Sequence, residues 1–317
     1  MKGERKKLEI SLCNNSIFVE TRWLADHIED SGMRIVDIRF TRCFSSHEKV
    51  AEECREEYRE AHIPGAVYID CIADLTDPSS REIFHVPPPS HFARVMERSG
   101  INNQTLVVCY DEAPYPLASA RFWWTALYFG HTRVRILKGG IRKWMEEGRP
   151  LSHVIPEVPF ESFTPRIQES LRITKEGVKT CLNDDQSVII DCLPFRQYHG
   201  KVLNSWSIRK GRIPGAVWLT PMELVEGLDS ASPAKEREES MANEKPYPFF
   251  PISKLQNIFA KVGIQEGKRV ITYCGKGDAA CTVFLALKML GIKNAAVYEG
   301  SLAEWSRDLS LPMECSQ

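Results

Sequence analysis

The stretch Val270-Ile271-Thr272-Tyr273-Cys274-Gly275-Lys276-Gly277-Asp278-Ala279-Ala280-Cys281-Thr282-Val283-Phe284-Leu285-Ala286-Leu287-Lys288-Met289-Leu290 changes character part-way along. Its first residues are a short β-branched run, its two glycines mark a tight loop, and the remainder is an apolar helical stretch. A thiol at that junction meets the positive end of a helix and the converging N–H groups of the loop, an anion-binding arrangement. Both effects favour thiolate over thiol, and the thiolate is the nucleophile. Lys276 adds a positive charge two positions on. Cys274 is therefore the candidate nucleophile, with a vestigial cysteine as the bland alternative.

The chain repeats itself around this stretch. His62-Ile63-Pro64-Gly65-Ala66-Val67-Tyr68 recurs as Arg212-Ile213-Pro214-Gly215-Ala216-Val217-Trp218, 150 positions later. Upstream, Arg34-Ile35-Val36-Asp37 matches Val188-Ile189-Ile190-Asp191. Downstream, Leu137-Lys138-Gly139-Gly140-Ile141-Arg142-Lys143-Trp144 matches Val297 to Trp305. A period this long means duplicated domains rather than a solenoid. Aligned through the strands, Asp111, after Leu106-Val107-Val108-Cys109-Tyr110, takes the place of Cys274. One catalytic and one silent domain is the natural reading.

Short apolar strands alternate with helical stretches in both halves, which predicts α/β domains with parallel sheets covered on both faces. Strands are expected at Arg34 to Ile38, Leu106 to Tyr110 and Val134 to Leu137, then at Val188 to Asp191, Val270 to Tyr273 and Ala295 to Tyr298. A helix is expected over Ala118 to Gly130, ending at the glycine. The segment after Gly148 carries Pro150, Pro156, Pro159 and Pro165 and reads as a linker. The expected organisation is a first domain over 15–148, a linker over 149–170 and a catalytic domain over 171–317. Gly227 to Phe250 is charged and turn-rich, a surface excursion of the second domain. Because ligands gather at the carboxyl ends of strands in such sheets, Cys274 is well placed for a site.

The 317 residues suit two ordinary domains. Forty-one Lys and Arg balance 42 Asp and Glu, which points to no nucleic-acid or membrane partner. No apolar run approaches a membrane span. The basic start from Met1 to Lys7 carries Glu4 and precedes no apolar segment, so neither a secretory signal nor a transit peptide is expected. The ten cysteines, Cys13, Cys43, Cys54, Cys71, Cys109, Cys181, Cys192, Cys274, Cys281 and Cys315, form no Cys-x-x-Cys pair, so no metal site is expected. Reduced thiols in a cytoplasmic or mitochondrial compartment are the default.

From about Ile17 to Pro312 these blocks resemble the two-domain rhodanese-type sulfurtransferases, the family of thiosulfate and 3-mercaptopyruvate sulfurtransferases. His62-Ile63-Pro64-Gly65-Ala66, Arg121-Phe122-Trp123-Trp124 and Gly139 to Trp144 resemble the inactive domain. Gly211-Arg212-Ile213-Pro214-Gly215-Ala216, the Cys274 loop and Gly300 to Trp305 resemble the catalytic one. The family's loop runs Cys-x-x-Gly-x-Thr. Gly275 is like the mercaptopyruvate enzymes, Lys276 like the rhodaneses, Gly277 keeps the shared glycine, and Asp278 and Ala279 match neither. An Asp-Ser-Arg after the first strand of the catalytic domain is here Asp191-Cys192-Leu193, and Arg196 lies near the family's second arginine, one position off.

The resemblance implies sulfane-sulfur transfer through a Cys274 persulfide, without metal or organic cofactor. It implies a small anionic donor, thiosulfate or 3-mercaptopyruvate, and a thiol acceptor such as thioredoxin or glutathione, or cyanide. Lys276 and Arg196 would hold the donor's anion, and the loop N–H groups from Gly275 onward the outer sulfur. Gly275 would also leave room beside the thiol for a carboxylate donor. Asp278 has two readings: a carboxylate that raises the thiol's pKa, or the cap of a helix starting at Ala279. The departures at Asp278, Ala279 and Leu193 also fit a weakly active or non-catalytic rhodanese-like binding or regulatory protein.

Other residues read as structural. His62 has Arg212 as its counterpart, and Trp123, Trp124, Trp144, Trp218 and Trp305 sit in apolar patterns. Cys281 falls within the apolar helix as a small hydrophobe. A phosphatase-type cysteine loop would close on an arginine six residues after the cysteine, where Ala280 stands, so phosphoryl chemistry lacks its guanidinium fork. No phosphate-binding Gly-Lys loop is present.

Overall fold

The computed structural model describes residues 17–42, 51–81, 84–227, 246–265 and 267–316. The charged excursion after Gly227 lies mostly outside these, over 228–245, as do Cys13, Cys43 and the basic start. Two parallel sheets form the frame. In the first, β1 (Phe18–Val19), β2 (Met33–Asp37), β5 (Val67–Tyr68), β6 (Leu106–Tyr110) and β7 (Val134–Leu137) lie in the order β1-β7-β6-β2-β5. In the second, β8 (Ser187–Asp191), β9 (Val217–Trp218), β10 (Arg269–Tyr273) and β11 (Ala295–Val297) lie in the order β11-β10-β8-β9. Every pairing within both sheets is parallel. A short antiparallel ribbon joins β3 (Phe40–Arg42) to β4 (Ala51–Glu53).

Side chains of β6 are buried along its whole length, as are Val270 to Tyr273 of β10, because helices cover both faces of a parallel sheet. The helix α4 (Ala118–Tyr128) packs on β6 and β7, and α9 (Asp278–Met289) packs on β10 and β11. These two helices also pack on each other. One apolar core consequently runs through both domains, with Trp123 and Phe284 meeting at 6.3 Å between ring centroids. Thr282 ties the seam by donating to the Pro116 carbonyl at 2.7 Å.

The repeated sequence blocks make the same bonds twice. Tyr110 sits opposite Asp37 in the β2–β6 register and donates to it at 2.7 Å, while the Ile63 N–H donates to the Tyr110 oxygen at 3.2 Å. Tyr273 sits opposite Asp191 and donates at 2.6 Å, with Ile213 donating to Tyr273 at 3.0 Å. The Ile-Pro-Gly-Ala turn is thus pinned to the end of the central strand in each domain. Trp144 donates to the Pro150 carbonyl and Trp305 to that of Pro312, closing each domain in the same way.

The proline-rich segment runs along the first domain. Ser152 pairs antiparallel with His62, Arg166 donates its N–H to the Phe129 carbonyl, and Thr164 to the Asn103 side chain. His62 is fully buried, with Nδ1 at 2.6 Å from the Tyr58 carbonyl and Nε2 at 3.1 Å from that of Val154. Its role is structural. Arg212, its counterpart, pairs with Glu314 in the same antiparallel fashion. Trp123, Trp124, Trp144 and Trp305 are buried, and Trp218 donates to the Leu193 carbonyl at 2.8 Å.

Candidate active site

Cys274 follows β10 directly and stands at the carboxyl end of the second sheet's interior strand. Its N–H donates to Ser301 Oγ at 3.0 Å, and that hydroxyl donates to the Tyr298 carbonyl at 2.9 Å. Ser301 adopts a left-handed backbone with φ 52° to serve both. The Cys274 carbonyl accepts from Leu302 N–H at 3.1 Å, as the Asp111 carbonyl accepts from Ile141 at 3.1 Å. Asp111 and Cys274 are therefore equivalent positions. In the first domain the Asp111 carboxylate accepts from the Leu117 and Ser119 N–H groups and the Ser119 hydroxyl, each at 2.9 Å.

The loop turns at Gly277, whose φ of 96° is a conformation that favours glycine. This turn aims the Gly277 N–H at Cys274 Sγ, 3.0 Å away, and the Lys276 and Ala280 N–H groups also face the sulfur. The helix α9 starts at Asp278, one residue earlier than the capping reading expects, and Gly277 takes the N-cap position. Asp278 is buried. Its Oδ1 accepts from Ala279 N–H at 2.7 Å and lies 3.4 Å from Cys274 Sγ.

The thiol is only 1% exposed. Burial and, after it, the Asp278 carboxylate push its pKa up to about 11, against the pull of the Ala280, Lys276 and Gly277 N–H groups. This corrects the expectation that helix and loop favour the thiolate. Those groups act as expected, but desolvation and the adjacent carboxylate outweigh them.

Lys276 is not a solvated loop lysine. Its side chain is buried, with the ammonium 4.3 Å from the Trp206 ring centroid, 4.8 Å from that of Phe84 and 5.7 Å from that of Phe40. Nζ also lies 3.9 Å from Asp278 Oδ2. Phe40 and Phe84 belong to the first domain, so that domain helps enclose the loop. The rings compensate electrostatically for the water the ammonium has lost.

The space beside Gly275 itself is taken by neighbouring side chains. A Cβ there would meet Asn204 Oδ1 and Trp206 Cδ1 at 3.1 Å, because Asn204 and Trp206 press on the loop. Arg196 is exposed on the four-residue helix α7 (Phe195–Tyr198), so the loop and Arg196 are not gathered into one buried cluster. Cys281 is buried within α9 and faces the Gly277 carbonyl at 3.1 Å, and Cys192 is buried beside β8. Burial raises both thiols, Cys281 to about 12.

Arg121, read in the sequence only as part of the Arg121-Phe122-Trp123-Trp124 block, was not expected at the site. It is fully buried on α4, donates Nη2 to the Phe84 carbonyl, lies 4.8 Å over Trp124, and brings Nη1 to 4.0 Å from Cys281 Sγ. Asn204, Trp206, Phe40 and Phe84 were equally invisible as site residues.

This geometry has counterparts. The rhodanese-like domain family matches residues 20–147 and again 174–308. The chain belongs to the rhodanese-like sulfurtransferases. It is 31% identical over 298 residues to 3-mercaptopyruvate sulfurtransferase of Escherichia coli (strain K12), covering 94% of this chain and 97% of the relative. It is 29% identical over 293 residues to thiosulfate sulfurtransferase of Gallus gallus, covering 90% and 92%. The crystal structure of SseA from Escherichia coli superposes with a TM-score of 0.75 at 29% identity, over 90% of this chain and 99% of that one. The two tandem α/β domains expected from the sequence are thus the rhodanese fold. Among the described residues no helix is long and apolar enough to cross a membrane.

Proposed function

We propose that this sulfurtransferase moves sulfane sulfur from 3-mercaptopyruvate or thiosulfate to a thiol or cyanide through a persulfide on Cys274. The observation that carries the reading is the sulfur held at the end of β10 with the Gly277 N–H at 3.0 Å and two further N–H groups facing it. Such a cradle suits the negative outer sulfur of a persulfide as an oxyanion hole suits oxygen. The relatives, two of them named for these donors, support the same chemistry.

In this reading Cys274 attacks the donor's outer sulfur, pyruvate or sulfite departs, and an acceptor thiol such as thioredoxin or glutathione, or cyanide, removes the sulfur in a second step. Lys276 supplies positive charge beneath the loop, while Arg196 meets the donor only as an outer, solvent-facing contact. Domain limits of 15–148 and 171–317 with a linker between fit the repeat of bonds in the two halves. A cytoplasmic or mitochondrial setting suits cysteines that form no disulfide among the described residues.

Initial rates with each donor against varied cyanide or dithiothreitol test this function. Parallel double-reciprocal lines with either donor support it, and absence of turnover with both would return the chain to a binding or regulatory role.

A further inference from the structure

We propose that Asp278 is the acid–base partner of Cys274, and that it suits the site to a donor whose departing group must gain a proton, a 3-mercapto-2-oxo acid, over a dianion such as thiosulfate. The inference rests on the sulfurtransferase reading above and adds a residue and a donor class to it.

The geometry is direct. Asp278 Oδ1 lies 3.4 Å from Cys274 Sγ, within reach for the thiol to donate to the carboxylate. The carboxylate is fixed on both sides, by Ala279 N–H at 2.7 Å on Oδ1 and by Lys276 Nζ at 3.9 Å from Oδ2. Asp278 acts electrostatically on Cys71 after β5 and on Cys281 of α9; Arg121 of α4 acts on both thiols, and Lys276 of the loop and Asp70 after β5 act on Cys71.

A thiol whose pKa is about 11 is thiolate in only about one molecule in ten thousand at pH 7. Catalysis from that fraction would forfeit most of the enzyme. A carboxylate in contact removes the proton as attack proceeds, which is general base catalysis. The proton passes to Oδ1 while Cys274 Sγ bonds the donor's sulfur. The donor's C–S bond breaks, and its electron pair leaves on carbon as the enolate of the 2-oxo acid. Asp278 then returns the proton to that carbon. Thiol and mercapto-oxo acid become cysteine persulfide and oxo acid, with protons unchanged: the Cys274 sulfur's pair makes the S–S bond, and the carbon is reduced by keeping the pair of the broken C–S bond.

Thiosulfate uses only the first half of this relay, the removal of the Cys274 proton. Its leaving group, sulfite, is stable as an anion, and the incoming dianion meets a carboxylate beside the sulfur.

The test is Asp278→Asn, an isostere that keeps an acceptor for Ala279, assayed for kcat/KM with both donors from pH 5 to 9. The account predicts a loss of about a hundredfold with 3-mercaptopyruvate, the scale of general acid–base catalysis. It also predicts a smaller loss with thiosulfate, whose leaving group needs no proton. The ratio of the two donors is the quantity read, because partial misfolding lowers both alike. Asp278→Glu, which restores a carboxylate, should return the ratio toward wild type. A ratio unchanged in Asp278→Asn overturns the role of Asp278. Wild-type protein that takes sulfur from neither donor overturns instead the sulfurtransferase reading on which it rests.

Discussion

Tyr273 donates its phenolic hydrogen to Asp191 across 2.6 Å, and its oxygen in turn accepts the Ile213 N–H at 3.0 Å. All three groups are buried beside the strand that carries Cys274. Tyr273→Phe leaves the Ile213 N–H without its partner and Asp191 with the Leu193 N–H in place of two donors, at a cost of about 1–3 kcal/mol for an unsatisfied buried group. Chemical denaturation should show a loss of at least that size, with a larger effect on stability than on donor KM.

Asp191 also gives the protein a pH signature. Asp37, its counterpart, is held by Arg39 through Nε at 3.0 Å and Nη2 at 2.7 Å, whereas Leu193 stands where that arginine would be. Burial therefore raises Asp191 to about 7, opposed by the Tyr273 and Leu193 hydrogen bonds. A carboxyl raised in the folded state contributes stability that is fully present below the unfolded pKa, about 4, and is lost as pH rises through 7. Asp191→Asn removes this dependence. Melting curves should show the variant gaining on wild type between pH 5 and pH 8.

Gly277 is the hinge of the cradle. An alanine there would need φ near 96°, and its Cβ would meet the Glu299 carbonyl oxygen at 2.8 Å. Gly277→Ala should lose about 1–3 kcal/mol of stability through strain. Because the same turn aims the Gly277 N–H at the sulfur, persulfide formation should fall by more than the folded fraction does, as a stopped-flow or mass measurement at matched folded concentration would show.

Lys276 shares its ammonium among Trp206, Phe84, Phe40 and Asp278. Lys276→Ser should lower turnover of both donors, since Asp278 loses its balancing charge, and should lower thiosulfate more because the dianion gains more from a nearby cation. The difference should be worth about 1–3 kcal/mol, the scale of a charge-assisted contact. Equal losses in kcat/KM would make Lys276 a support for the loop alone.

Much of this was legible in the sequence because it is local. The strand-to-helix change at Cys274, the Ile-Pro-Gly-Ala turns and the glycine pair before Trp144 depend on backbone conformations that nearby residues dictate. The equivalence of Asp111 and Cys274 could be read for the same reason. The surroundings of Lys276 could not, since Phe40, Phe84 and Trp206 come from three distant segments that only the tertiary fold brings together. The thiol's high pKa was hidden likewise. A sequence displays the helix end and the loop amides, but desolvation is a property of the covering domain. Arg121 reads as one polar residue in an apolar helix, and only tertiary structure reveals that it lies buried at the seam.

The central claim is that Cys274 carries the transferred sulfur. Intact-mass and peptide-level mass spectrometry after brief exposure to 3-mercaptopyruvate or thiosulfate tests it most directly. The account predicts a gain of about 32 Da, one sulfur atom, on the Cys274 peptide, reversed by dithiothreitol and absent in Cys274→Ser. The added sulfur appearing on Cys192 or Cys281, or persisting in Cys274→Ser, would contradict it.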